Sequence, residues 1–463
     1  MPVWKFIMNL ETDNKIQKKG ITLVIPNPCG NIKETKMKNS GIEWIGEIPD
    51  GWEVSKIGQL YEERKTKVSD TVYPPLSVTM QGILPQLETA AKSDAHDDRK
   101  LVLKGDFAIN SRSDRRGSCG ISEFDGSVSL INTVLHPKTE MNPIYYNWLF
   151  HSFRFSDEYY KNGHGIVDDL WTTSWTEMKK IFIPLPPKET QQCIASYLDK
   201  KCNKIEETIQ NQQQVIEKLK AYKQSLITEA VTGKVKIENG KACGEYESFK
   251  DSGVEWIGRI PSGWEIKKLK YIADSFSKGS GITKEEIVIN GDTPCVRYGE
   301  LYTKYDYHFT ECQTRTNLGI IETPKYFSHG DVLFTCTGEL VEEIGKSIAY
   351  LGNEKCLAGG DIIVLKHSQD PMFMGFALDS KYVQGQKSFG KTKLKVVHIS
   401  SEEIARLLIV LPSKEEQKEI ADYLDKKYNA IDTTIEKKQK LIEKLTEYKK
   451  SLIYECVTGK KEI

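Results

Sequence analysis

No charge of either sign dominates this chain: 65 Lys and Arg offset 65 Asp and Glu over 463 residues. No global field therefore marks it as a polyanion binder, and any nucleic-acid contact must rest on local basic clusters. There is no Cys-x-x-Cys pair and no histidine cluster. Its ten scattered cysteines read as reduced thiols of a cytosolic protein, not as zinc ligands or disulfides. No apolar run approaches the roughly 18–20 residues of a membrane span. Residues 1–32 mix charges with short apolar runs, so no signal peptide is expected and the expected localisation is cytoplasmic.

Catalytic signatures are missing too. Gly345, Lys346 and Ser347 invite a phosphate-loop reading, but that pattern needs glycine five residues before Gly345, where Leu340 stands. No strand–GxGxxG–helix unit offers a dinucleotide or S-adenosylmethionine site. No Asn-Pro-Pro-aromatic motif, nuclease-like acidic cluster or His-Glu-x-x-His occurs. The expectation is a reader without a catalytic engine.

What the chain does have is a frame written twice. Residues 40–52 read SGIEWIGEIPDGW, and residues 252–264 read SGVEWIGRIPSGW. Residues 183–234 return as 409–460, sharing YLDKK, IEKL, SLI and VTGK. Roughly three-fifths of positions match over about 50 residues, which is the mark of an internal repeat. Between these framing elements the two inserts differ strongly. A duplicated frame with divergent inserts implies two specificities presented at a fixed separation. At this length each insert can bury a core of its own. Residues 1–36 precede the frame and are expected to be a disordered arm or the product of an upstream start.

Each insert is followed by a heptad pattern. The first places Leu198, Ile205, Gln212, Leu219 and Leu226 seven apart, flanked by Ile209, Val215, Ile216 and Tyr222. The second places Leu424, Ile431, Lys438, Leu445 and Leu452, flanked by Ile435, Leu441, Ile442 and Tyr448. Neither run contains an internal proline or glycine, which predicts helices of about 40 residues, roughly 60 Å long. Ser413 and Glu416 fit a capping box; the first copy starts behind Pro186 and Pro187. Gly233 and Gly459 stand where a left-handed C-terminal cap is expected. A single seam is unstable alone, so the two helices are expected to pair antiparallel about a pseudo-twofold axis. Packing of each on its own domain, or homodimerisation, are the alternatives. Gln212 and Lys438 interrupt both seams with polar groups that can fix register.

The inserts read as mixed α/β, giving an α/β (α+β) fold class. Gly105 and Asp106 open an apolar run at Phe107, as Gly330 and Asp331 do at Val332. The same scaffold is thus expected twice, with the second insert's extra residues in loop before Gly330. Candidate nucleic-acid contacts in the first insert are Asn110, Ser111, Arg112, Arg115 and Arg116, within INSRSDRRGSCG, and His164, in a second glycine-hinged loop. Arginine can pair with guanine edges or phosphates, and asparagine with adenine; a solvated loop is the plain alternative. Trp171 and Trp175 read as core. In the second insert basic and aromatic groups interleave at Lys278, Arg297, Tyr298, Lys304 and Lys346, and the run 385–395 adds Lys391 and Lys393. No metal site is expected.

Two variable α/β domains, each introduced by SGxEWIGxIPxGW and followed by a long helix ending in VTGK, resemble the specificity subunit of type I restriction–modification systems. The likeness runs from about residue 37 to the end, and KGSGITKEE, CVRYGELYTKY and AGGDIIVLK are similar to recurrent segments of that family. The resemblance implies target recognition domains at 37–185 and 251–411, conserved spacer helices at 186–235 and 412–463, and a linker at 236–250. It further implies double-stranded DNA with a bipartite target as ligand, each domain reading one half while the helices set the spacing and dock two methyltransferase subunits. S-adenosylmethionine, ATP and Mg would belong only to those subunits and to the restriction/translocase subunits. This chain would be non-catalytic and serve in phage defence, with no membrane partner. A coiled-coil interaction scaffold without a DNA role, and a self-sufficient DNA enzyme, are the competing readings.

Overall fold

A computed structural model describes residues 36–86, 96–165, 171–321, 323–392 and 396–463. The arm expected at the N-terminus, apart from Lys36, lies outside the described residues. The chain divides into two compact units, one running up to Gln210 and including Leu441–Ile463, the other comprising Asn211–Lys440.

In the first unit the main strands are β1 (Glu53–Lys56), β2 (Tyr61–Glu63), β3 (Arg99–Val102), β4 (Phe107–Asn110), β5 (Cys119–Ile121), β6 (Gly126–Val128), β7 (Asn132–Pro137) and β8 (Phe182–Leu185). Helices α1 (Pro143–His151) and α2 (Phe153–Lys161) precede β8, and α3 (Lys188–Val231) follows it. The sheet order is β5-β4-β7-β2; β6 pairs with β3, and β1 with β8. The core is aromatic: Tyr145, Tyr146 and Phe150 of α1 and Phe155 and Tyr159 of α2 are buried in one cluster with Phe107 of β4, whose ring centroid lies 4.5 Å from that of Phe150.

The second unit repeats the plan with β9 (Glu265–Lys268), β10 (Ala273–Lys278), β11 (Tyr326–Phe327), β12 (Val332–Thr335), β13 (Ser347–Tyr350), β14 (Cys356–Ala358), β15 (Ile362–His367) and β16 (Leu408–Leu411). Its main sheet runs β10-β15-β12-β13, extended at one edge by His308–Phe309, with β14 on β11 and β9 on β16. These strands thus pair in the same order in both domains, while β3 pairs in addition with Lys67–Val68 and β14 with Thr293–Val296. Even the turn into the central strand is the same. Gly105 and Gly330 both take φ +90. Asp106 accepts from the Leu103 N–H at 2.9 Å, and Asp331 from the Ser328 N–H at 2.9 Å. The second domain's extra residues are not all loop: the stretch between β10 and β11 contains helix α4 (Tyr298–Thr303) and short paired strands. After β15 come α5 (Pro371–Leu378) and α6 (Lys381–Ser388), and after β16 the helix α7 (Lys414–Val457).

Helices α3 and α7 each span 44 residues, about 66 Å at 1.5 Å per residue. They run antiparallel within both units. In the first, Lys449 Nζ lies 2.6 Å from a Glu206 carboxylate oxygen; in the second, Lys223 Nζ lies 2.5 Å from Asp432. The two polar interruptions of the seams meet, Lys438 Nζ donating to Gln212 Oε1 at 2.9 Å. Each helix start is tied to its domain by a buried glutamine. Gln191 accepts from the Asn142 N–H and donates to the Pro186 carbonyl; Gln417 accepts from the Asp370 N–H and donates to the Pro412 carbonyl. The capping box at Ser413 and Glu416 forms. At the far ends Lys234 N–H donates to the Glu229 carbonyl and Lys460 N–H to that of Glu455, each behind a glycine at φ +72. These are the 6→1 bonds of a Schellman cap. Two residues flanking the second seam are not covered: Leu441 and Tyr448 stay exposed, because a two-helix pairing hides only one stripe of each helix. The 236–250 stretch is also more ordered than a linker. Ile237–Glu238 and Lys241–Ala242 pair across Asn239 and Gly240, both at positive φ, as an Asn-Gly type I′ hairpin requires.

Candidate nucleic-acid interface

Two loops meet at one edge of each domain. In the first domain the loop between β4 and β5 carries the three arginines. It is stitched to the 162–174 loop by an Arg112–Thr172 bridge and by Thr173 N–H donating to the Ser111 carbonyl at 2.9 Å. In the second domain the loop between β12 and β13 is stitched the same way, by Thr337 pairing with His398 and Ile399 N–H donating to the Cys336 carbonyl at 2.9 Å. Both loops contain a single 3₁₀ turn, Ser113–Arg115 and Val341–Glu343, and a glycine at positive φ, Gly117 and Gly345. They are the same device.

The chemistry at the tips is opposite. Arg115 and Arg116 are exposed, and their ion pairs among the described residues are surface pairs to Asp114 at 3.6 Å and Asp157 at 3.7 Å. Such pairs are worth little, so both guanidinium groups can be offered to a ligand. Arg116 also lies over the Tyr160 ring at 5.1 Å, a cation–π contact that fixes its direction. The corresponding loop of the second domain presents Glu339, Glu342 and Glu343 to solvent. A cleft opens beside each loop. That of the first domain, about 680 Å³, is lined by Ser113, Arg116, Asp157, Tyr160 and Trp171. That of the second, about 750 Å³, is lined by Tyr298, Tyr302, Glu339, Lys346 and Lys381 among others.

Several residues singled out by sequence turn inward. Asn110 is buried and its Oδ1 accepts from the Arg112 N–H at 3.0 Å; Ser111 Oγ donates to the Ile131 carbonyl at 2.5 Å. Both hold the arginine loop in shape. Lys304 pairs with buried Glu300 at 2.6 Å, and Lys346 donates to the Tyr305 carbonyl at 2.7 Å. Lys391 is spent on the His398 carbonyl and Glu403. His164 and Lys278 are exposed, as is much of Tyr298, while Arg297 is half-buried with an Nε that has no partner among the described residues. Lys393 lies outside the described residues. Trp171 is half-buried and donates to the Tyr160 carbonyl, and Trp175 packs partly against the core.

Of the second domain's loop the sequence singles out only Lys346, because basic residues were sought. The signal was there: Thr337 follows Asp331 at the spacing by which Arg112 follows Asp106. Lys387 lies in the same run as Lys391. It is fully buried, donates to the Gly345 carbonyl and Ser347 Oγ at 2.6 Å, and burial pushes its amine down to about 8. It locks α6 onto the glycine that closes the loop. Among the described residues no group of three or more His, Cys, Asp or Glu is disposed to hold a metal ion, and no helix is long and apolar enough to cross a membrane.

A domain plan built twice, each copy offering a stapled pair of loops beside a cleft, defines a tandem recognition protein. The profile of the type I restriction modification DNA specificity domain matches residues 49–218 and again 261–444. The chain belongs to that family. It is similar to the type I restriction enzyme MjaVIII specificity subunit of Methanocaldococcus jannaschii, 26% identical over 436 residues that cover 89% of this chain and 93% of the relative. A putative MjaX specificity subunit of the same organism is 24% identical over 445 residues, covering 90% and 95%. Two solved structures share the fold at 16% identity. One, from work on complex assembly and conformational transition of the type I R-M system, gives a TM-score of 0.67 over 89% of this chain and 99% of its own. The other, the HsdS subunit from Thermoanaerobacter tengcongensis, gives 0.50 over 89% and 98%. The chain's role is DNA target specificity in a type I restriction–modification system.

Proposed function

We propose that each domain reads one half of a bipartite duplex target through its stapled loop edge, and that α3 and α7 set the number of base pairs between the halves. The observation that carries this reading is the recurrence of one loop device with opposite side-chain chemistry. Arginine forks suit guanine O6 and N7, whereas carboxylates accept from the amino group of cytosine. Equivalent loops so equipped select different half-sites. Phosphate contacts from Lys278, Arg297 and His164 supply position, not sequence.

In this reading the chain is non-catalytic. Two methyltransferase subunits dock on the long helices and bring S-adenosylmethionine, while restriction/translocase subunits bring ATP and Mg, and the assembly works in the cytoplasm. Sequencing the methylome of a host with and without the gene tests the proposal. One split motif, methylated in both halves, should disappear with the gene. A methylome that does not change on deletion, in a host whose type I modification subunits are expressed, contradicts it.

A further inference from the structure

The most exposed aromatic side chain of the second domain stands on a rigid turn at its recognition edge. Phe389 is 88% exposed. It follows the end of α6 with φ −58 and ψ 127, and Gly390 has φ +71. Lys391 N–H closes the turn on the Ser388 carbonyl at 3.1 Å. Those angles are a type II turn, with phenylalanine at the first central position and glycine at the second, where positive φ is required. Both sides of the turn are clamped. Ser388 Oγ donates to the Gln384 carbonyl at 3.0 Å, and Lys391 Nζ reaches the His398 carbonyl and Glu403. His398 is the residue that pairs with Thr337 in the recognition loop.

A ring held out in water forgoes roughly 2–3 kcal/mol of burial, and a turn this well tied does not swing it back. Its neighbours along the turn, Ser388, Gly390 and Lys391, add no apolar surface of their own, whereas a protein partner would want an apolar patch hundreds of Å² wide. A lone ring of this shape instead matches the slot between two base pairs, where apolar wedges unstack a step.

We propose that Phe389 is a wedge that stacks on or between bases of the half-site read by the second domain, an inference that rests on the DNA-reading function proposed above. The test uses the full chain assembled with type I modification subunits, on target duplexes carrying 2-aminopurine at successive positions of that half-site. Wild type should raise the fluorescence several-fold at one step. Phe389→Ala should abolish that rise and weaken binding about ten-fold with an unchanged salt slope, since no charge is lost; Phe389→Trp should keep both. Because the side chain is exposed, Phe389→Ala should melt with wild type. If Phe389→Ala binds and brightens the probes as wild type does, the wedge is wrong while half-site reading stands. If the wild-type assembly shows no target preference at all, both fall together.

Discussion

Arg112, Arg115 and Arg116 are the residues on which first-domain specificity should turn. Replacing a base-reading arginine with alanine should cost roughly 1–3 kcal/mol of affinity and relax one base position. Replacing a phosphate anchor should instead reduce the salt slope by about one unit on every sequence. Binding titrations at several salt concentrations separate the two, and a triple variant that binds and supports methylation as wild type would make the loop plain surface. His367, on β15, carries a pH prediction. Its Nδ1 accepts from the Gln369 N–H at 3.2 Å, Nε2 has no protein partner among the described residues, and burial pushes the ring down to about 4. The unfolded chain, with histidine near 6.5, therefore binds more protons between pH 4 and 6.5. Stability contributed above that window is lost as pH falls through it, on the order of 2 kcal/mol because part of the ring reaches solvent. Asp331 and Asp379, pushed upward by burial, act in the opposite sense, so the readout is a comparison. Unfolding of His367→Gln should be less acid-sensitive than wild type, and equal acid sensitivity would refute the assignment. At this scale the sequence was a partial guide. Exposed Arg115 and Arg116 are as expected, but nothing in a one-dimensional pattern tells a lysine aimed at solvent from Lys346 or Lys391, whose amines close on carbonyls brought near only by folding.

Elements were far more legible, because period and punctuation are local. The heptads, the capping box and the glycine stops delimit α3 and α7, and the repeated Gly-Asp turn locates β4 and β12. What the pattern could not show is the partner of each glycine. Gly459 ends α7 at φ +72, where an added Cβ would stand 2.4 Å from Pro49 Cδ and 3.0 Å from Trp52; Gly233 ends α3 with Pro261 Cδ at 2.4 Å and Trp264 at 2.9 Å. The two framing motifs, VTGK and IPxGW, are thus the two sides of one contact, made once in each unit. Gly459→Ala should cost more than about 2 kcal/mol, from the left-handed backbone and the overlap together. Hydrogen exchange should find Glu47–Pro49 deprotected in Gly459→Ala, and Arg259–Pro261 in Gly233→Ala. Faster exchange of both strands in either variant would mean that the contacts are not independent.

At the scale of the whole molecule, the frame in the proposed function is responsible for geometry and the inserts for sequence. The frame's strand pairs support that division. β1 on β8 and β9 on β16 close each insert at its own base, so an insert can change without disturbing the helix that follows. Duplication was readable in the sequence wherever the frame recurs, but common topology of the inserts was not, since strand order depends on pairings between segments that share little identity. The most direct test exchanges residues 53–182 for the corresponding segment of another family member and maps methylation in a host carrying the chimaera. The account predicts that one half-site changes to the donor's while the other half-site and the spacer persist. A chimaera whose two half-sites change together would contradict it.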